Sequence, residues 1–184
     1  RNGSSYNGIR GNKESGKYFM TLIDMLISSV VRNPGLPAIV EGDSKLSYAE
    51  WLKQIKAVAG GLDNLGLKRG DHLVVLLSNR METATLYWAS QMLGLIFTPF
   101  NWRASGMEIA YILDDAEAQA VVYEKRSELA VSEAMKQFSN ESSRLICLDE
   151  QMRGLHFSEL LKSKPFEGVF PADQQAICLM LYTS

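Results

Sequence analysis

The sequence is poor in the residue types that signal metal, redox or disulfide chemistry. Two cysteines and two histidines occur in 184 residues. Cys147 and Cys178 each sit inside an apolar run, Leu145–Leu148 and Ile177–Met180, with no CxxC and no Cys/His neighbour at ligand spacing. Both therefore read as buried thiols, and that usage fits a reducing compartment. His72 and His156 stand singly, without partners, and suggest neither catalysis nor metal binding. Also missing is any apolar stretch approaching the ~20 residues needed to span a bilayer, or a charged-then-apolar leader. A cytoplasmic protein with no transmembrane segment is expected. Charge of one sign is lacking too: 19 Lys and Arg oppose 21 Asp and Glu, a formal net charge of -2. Without a basic footprint, nucleic acid and anionic membrane surfaces are not expected partners, which leaves small soluble substrates or other proteins.

What is present is ordinary globular material. Apolar residues make up 46% of the chain, enough for one domain with a sizeable core. Residues 1–19 differ, being dominated by Asn, Gly, Ser and Lys without periodicity, and the chain does not start with Met. They read as a flexible leader or an expression-derived segment, with Met20 as the native start. Apolar positions Leu22, Ile23, Met25, Leu26, Ser29 and Val30 predict a helix over 21–31, stopped by Asn33-Pro34-Gly35. Ala38–Val40 and Lys45–Ser47 flank the turn residues Glu41–Ser44, a small hairpin. Ser47 and Glu50 form a capping box for a helix that ends at Gly66, with a buried stripe of Trp51, Leu52, Ile55, Val58, Ala59, Leu62 and Leu65.

An alternation follows that sets the fold class. Leu73–Leu77 is a continuous apolar run, as a strand covered on both faces requires, and Asn79 with Glu82 is placed to cap a helix running to Leu93 before Gly94. Ile96–Thr98, Ala120–Tyr123, Leu145–Leu148 and Ala176–Tyr182 read as further strands. Ser105 with Glu108 caps a helix through Leu113, and another covers 127–138. Repeated strand–helix units of this length predict an α/β fold, a mostly parallel sheet flanked by helices.

Most residues with chemical character have structural explanations. Gly66 and Gly70 suit turns, Asp71 a turn cap, and Trp51, Trp88, Met81 and Met92 packing positions. Glu124–Glu128 reads as a solvated loop and helix start. Asn101 and Arg103 leave two readings open: Arg103 could grip a carboxylate or phosphate, or could tie its own loop down. The end of the chain is the main candidate site. Ile177–Leu181 reads as a buried strand, and Tyr182-Thr183-Ser184 presents hydroxyls and backbone amides past its carboxyl end, where open α/β sheets bind ligands. Taken alone, such a sequence also suits an ordinary turn.

The ordered set of segments carries more. Leu46-Ser47-Tyr48-Ala49-Glu50-Trp51 resembles a Thr-Tyr-x-Glu-Leu helix opening. Gly60–Asp71 is similar to LA-x-x-L-x-x-LG-x-x-x-GD, Ser78–Glu82 to PNS-x-E with Ser78 in place of Pro, and Leu93–Arg103 to AGA-x-x-x-P-x-N-x-R with Leu95 in place of a small residue. Glu108–Ala116 resembles the helix that follows, and Leu181-Tyr182-Thr183-Ser184 the start of a phosphate loop. Together, over residues 20–184, they resemble the superfamily of acyl-CoA synthetases, firefly luciferase and peptide-synthetase adenylation domains. The resemblance implies the first subdomain of the large amino-terminal domain of adenylate-forming enzymes, cut at the phosphate loop.

It further implies a two-step reaction using ATP, Mg²⁺ and CoA, in which a carboxylic acid, fatty or aromatic, becomes an acyl-adenylate and then a thioester. Thr183 and Ser184 would bind the β- and γ-phosphates. No catalytic residue or metal ligand of the family falls within these 184 residues, so the chain alone is expected to be inactive. Its last strand would expose an apolar edge and favour self-association. Three other readings are a peptide-synthetase adenylation domain, a nucleotide-dependent methyltransferase, and a non-catalytic α/β interaction module. The methyltransferase reading lacks its glycine-rich turn, since Ser78–Glu82 contains no glycine.

Overall fold

The structure is a computed structural model and describes residues 13–14, 17–18, 21–138, 144–168 and 176–183. Within the first nineteen residues, β1 (Lys13–Glu14) and β2 (Lys17–Tyr18) pair antiparallel. The rest of residues 1–19, where a flexible leader or expression-derived segment is expected, together with Met20 and Ser184, lies outside the described residues.

Helix α1 (Leu22–Arg32) begins at Thr21, which forms a reciprocal capping box with Asp24. Only Ile23 and Leu26 of its expected face are buried, and Leu22 and Met25 stay exposed. The hairpin β3 (Pro37–Glu41) and β4 (Ser44–Ser47) follows. Ser47 caps α2 (Tyr48–Asn64) with Glu50, and the Ser47 hydroxyl and backbone amide both donate to that carboxylate, holding it below its usual pKa. Trp51, Leu52, Ile55, Val58, Ala59 and Leu62 are buried as expected, whereas Leu65 at the helix end is only half-buried. The chain leaves α2 through Gly66, whose φ of 90° lies in the left-handed region that glycine tolerates best.

The core of the fold is a five-stranded parallel sheet in the order β6 (Ile96–Pro99), β5 (His72–Leu76), β7 (Ala120–Tyr123), β8 (Arg144–Cys147), β9 (Leu155–His156). Alternation along β5 shows why its sequence is apolar throughout. Leu73 and Val75 enter one core, with α1, α2, α3 (Met81–Leu93) and α6 (Phe157–Leu161), whereas Val74 and Leu76 enter the other, with α4 (Gly106–Asp115) and α5 (Glu128–Ala134). None of the described helices is long and apolar enough to cross a membrane.

Several expectations are corrected. Asn79 does not cap α3: the N-cap residue is Arg80, and the Met81 amide donates to the Glu41 carboxylate of the hairpin at 2.9 Å. The expected helix over 127–138 is shorter, because the Ser127 hydroxyl donates to the Leu76 and Glu124 carbonyls and a 3-10 turn over Lys125–Ser127 precedes α5. β9 and α6 carried too few apolar positions to be read from periodicity. The expected buried strand over 176–182 is neither buried nor continuous. It makes one parallel bridge, Leu179 to Phe97 on the outer side of β6, with Ile177 and Leu181 each 64% exposed. Among the described residues nothing pairs with its far side, so Cys178 is only half-buried, unlike Cys147.

Candidate functional site

Parallel sheets end on one edge, and here the strand exits converge around a cleft of about 760 Å³. Ser78–Arg80 follows β5, Trp102–Arg103 lies beyond β6, Glu124–Arg126 follows β7, and Asp149 lies beyond β8. Two groups of side chains with different chemistry share it.

The first group is closed on itself. Glu124, only 3% exposed, accepts from the Ser78 amide at 3.0 Å, the Ser78 hydroxyl at 3.2 Å and Arg80 Nη1 at 3.2 Å. Arg80 also reaches Glu82 at 3.3 Å and Asp149 at 3.9 Å, and Asp149 accepts from the Lys125 amide at 2.7 Å. Partial burial works against the Arg80 charge, but Glu82, Glu124 and Asp149 outweigh it and hold its pKa above the ordinary guanidinium value. This network ties the exits of β5, β7 and β8 together. The solvated loop expected at Glu124–Glu128 is thereby corrected: Glu124 and Ser127 are buried, because the first neutralises Arg80 and the second bonds the sheet.

The second group is open. The Arg103 guanidinium carbon lies 4.1 Å from the Trp102 ring centroid, and that of Arg126 lies 5.3 Å from the same ring. Both are at cation–π distance, and neither has a carboxylate partner among the described residues. Asn101 Oδ1 accepts the Arg103 amide at 3.0 Å, so Asn101 shapes the loop while the Arg103 side chain remains available to an anion.

Thr183 is placed differently from this cleft. Cys178 and Met180 bond the backbone of Phe97, so the segment runs parallel to β6 and leads toward the same edge, where Thr183 is exposed. Tyr182 meets Phe100 edge-to-face, with ring centroids 6.2 Å apart, and its hydroxyl donates to Asp115 at 2.7 Å. Ser184, the other expected phosphate ligand, lies outside the described residues. The structure thus sets Thr183 beyond the outermost position of the sheet and the arginine pair over the β6 and β7 exits.

Neither histidine is without a partner. His72 Nδ1 lies 3.0 Å from Thr98 Oγ1, and His156 accepts the Ser158 amide at 3.2 Å as the cap of α6. Burial lowers the His72 pKa despite Asp71 and Glu117 nearby. Arg80, Glu124, Arg126 and Asp149 were missed as cleft residues, although a signal for them existed. Glu124 and Asp149 directly follow expected strands, and Arg80 and Arg126 lie three residues past theirs.

A sequence profile described as AMP-binding enzyme matches residues 27–184. The chain belongs to the AMP-binding enzyme family. It is 35% identical over 92 residues to a 2-succinylbenzoate–CoA ligase of Bacillus licheniformis, covering 50% of this chain and 19% of the relative. It is 31% identical over 101 residues to the long-chain-fatty-acid–CoA ligase FadD13 of Mycobacterium tuberculosis, covering 54% of this chain and 20% of the relative. The chain therefore spans about a fifth of the length of these relatives. Among solved structures, a fatty acyl CoA synthetase of Mycobacterium tuberculosis superposes with a TM-score of 0.74 at 25% identity, over 87% of this chain and 32% of that one. An anthranilate CoA ligase in complex with anthranoyl-AMP superposes at 0.81 and 18% identity, over 88% and 31%, a likeness of fold. The α/β architecture of this family member matches the amino-terminal domains of adenylate-forming enzymes.

Proposed function

We propose that the chain is part of an ATP-dependent acid–CoA ligase acting on a fatty or aromatic carboxylic acid. The carboxylate oxygen attacks the α-phosphorus of ATP, the bond to the β-phosphate oxygen breaks, and pyrophosphate leaves with its electron pair. The CoA thiolate then attacks the acyl carbon of the acyl-AMP, and AMP departs as a thioester forms. One observation carries this reading: the family match runs through Thr183, which follows a segment laid parallel to β6 and faces solvent at its end.

In this reading the Thr183 hydroxyl and amide, with those of Ser184, donate to the β- and γ-phosphates, whose charge grows as pyrophosphate leaves. Arg103 and Arg126, held against Trp102 and without carboxylate partners, are the cations available to a second anionic group of a substrate. Mg²⁺ arrives with ATP. Among the described residues no cluster of three His, Cys, Asp or Glu is placed to hold a metal.

The test is acid-dependent pyrophosphate release from ATP by the longest encoded form, followed by mass detection of the acyl-CoA. The reading requires both products from a fatty or aromatic acid panel and none from the 184-residue chain alone. Replacing Arg103 and Arg126 by Gln should raise KM for a phosphate-bearing substrate roughly tenfold, the size of a lost charge-assisted hydrogen bond. Absence of acid-dependent pyrophosphate overturns the proposal.

A further inference from the structure

Asp115 sits where helix physics does not favour it. It is the last residue of α4, whose final carbonyls carry partial negative charge, and no basic residue occupies that last turn. An acid that breaks a local rule calls for a compensating contact elsewhere in the fold. The contact present is the Tyr182 hydroxyl, which donates to Asp115 Oδ2 at 2.7 Å across a sequence separation of 67 residues.

The segment ending in Thr183 has few other restraints. Among the described residues, its last backbone hydrogen bond is from Met180 to the Phe97 carbonyl. Leu181 points largely to solvent, and Thr183 is exposed. Between that bond and Thr183, the anchors among the described residues are the Tyr182 ring against Phe100 and the Tyr182 hydroxyl on Asp115. We infer that Asp115 is a positioning residue for the phosphate loop: by accepting the Tyr182 hydroxyl it fixes the point from which Thr183 departs. Burial, followed by the hydrogen bond to the Asp115 carboxylate and its charge, raises the Tyr182 pKa, so the phenol stays a donor throughout the physiological range. This inference rests on the reading of Thr183 as a phosphate ligand. The chemistry is indirect, since Asp115 touches no substrate and acts through Tyr182.

Two measurements separate the inference from the reading beneath it. In the 184-residue chain, exchange of the Met180 amide, the last of the segment bonded to β6, should accelerate in Tyr182→Phe and Asp115→Ala while the β5 amides remain protected. Unchanged Met180 exchange, or loss of protection throughout the sheet, overturns the local restraint without reference to activity. In the longest encoded form, each variant should raise KM for MgATP roughly tenfold, as loss of a hydrogen bond to a charged group does, and leave KM for the acid unchanged. The double variant should be no worse than either single one, and Asp115→Asn, which keeps an acceptor oxygen, should recover most of the loss. Additive effects, or an equal rise in KM for the acid, contradict the positioning role. If the wild-type protein shows no acid activation, the functional reading fails, and the exchange experiment alone decides whether Asp115 holds the segment.

Discussion

Arg80 Nη1 lies 3.2 Å from Glu124 Oε2, and the carboxylate is buried while the guanidinium remains part-exposed. That asymmetry decides which partner matters more. Removing Arg80 leaves a buried acid that still accepts two bonds from Ser78, whereas removing Glu124 strands the Ser78 amide and leaves Arg80 only Glu82 and Asp149.

Glu124→Ala should therefore lower unfolding free energy by about 2–4 kcal/mol, below the full cost of breaking a wholly buried pair because Arg80 can reach water. Glu124→Gln keeps one acceptor and should lose about half as much. Urea unfolding of the three proteins checks the order. A loss within ~0.5 kcal/mol for the alanine variant, the range of neutral surface changes, contradicts the latch.

The seam between α2 and the chain after α6 gives a packing prediction. A Cβ built on Gly60 would lie 2.0 Å from the Lys164 carbonyl oxygen, an approach that only backbone movement relieves. Gly60→Ala should cost about 1–3 kcal/mol through overpacking, despite the better helix propensity of alanine. Gly35 has open space around its Cβ position and serves as control, with Gly35→Ala expected near neutral. Thermal melts of both variants separate the two outcomes.

The amino end of β5 sets a pH dependence. Burial lowers the His72 pKa, so the folded state binds its proton less readily than the unfolded chain does. The sign follows directly. Above the ordinary histidine pKa of ~6.5 the residue is neutral in both states and costs nothing, and stability falls as pH drops from there through the lower folded pKa. The difference in unfolding free energy between wild type and His72→Gln should then shift against wild type between pH 7.5 and 5. A constant difference over that range contradicts the assignment.

How far the sequence carried this fold depended on whether one local signal decided the element. The Ser47–Glu50 and Ser105–Glu108 capping boxes and the apolar runs of β5 and β7 were legible, because capping and two-sided burial each leave a pattern a few residues long. The α3 cap was not, since Glu41 supplies it from a hairpin 40 residues away. Glu124 looked like solvent-facing charge because its partner Arg80 is 44 residues distant. The candidate site divides in the same way. Thr183 entered as a candidate through the matched segments that precede it, while Arg126, Asp149 and the acceptor role of Asp115 required the sheet order to bring four strand exits and one helix end into register.

The outer edge next to β6 leads to an association prediction. Ile177, Leu179 and Leu181 are exposed apolar residues on a segment with a single strand neighbour among the described residues, a surface of the kind that pairs with another chain. The 184-residue chain should sediment as an associated species, and Ile177→Lys with Leu181→Lys should return it to monomer. A monomer already at wild type, over a wide concentration range, contradicts this.

Detection of acyl-AMP by mass spectrometry tests the central claim most directly. The longest encoded form is mixed with ATP, Mg²⁺ and fatty or aromatic acids in the absence of CoA, as wild type and as Thr183→Ala. The wild type should accumulate an acyl-AMP whose mass follows the acid supplied. The variant should form it roughly a hundredfold to a thousandfold more slowly, the cost of one preorganised donor to developing charge. No acid-dependent adenylate from the wild type, or equal rates from both proteins, would contradict Thr183 as a ligand of the transferring phosphates.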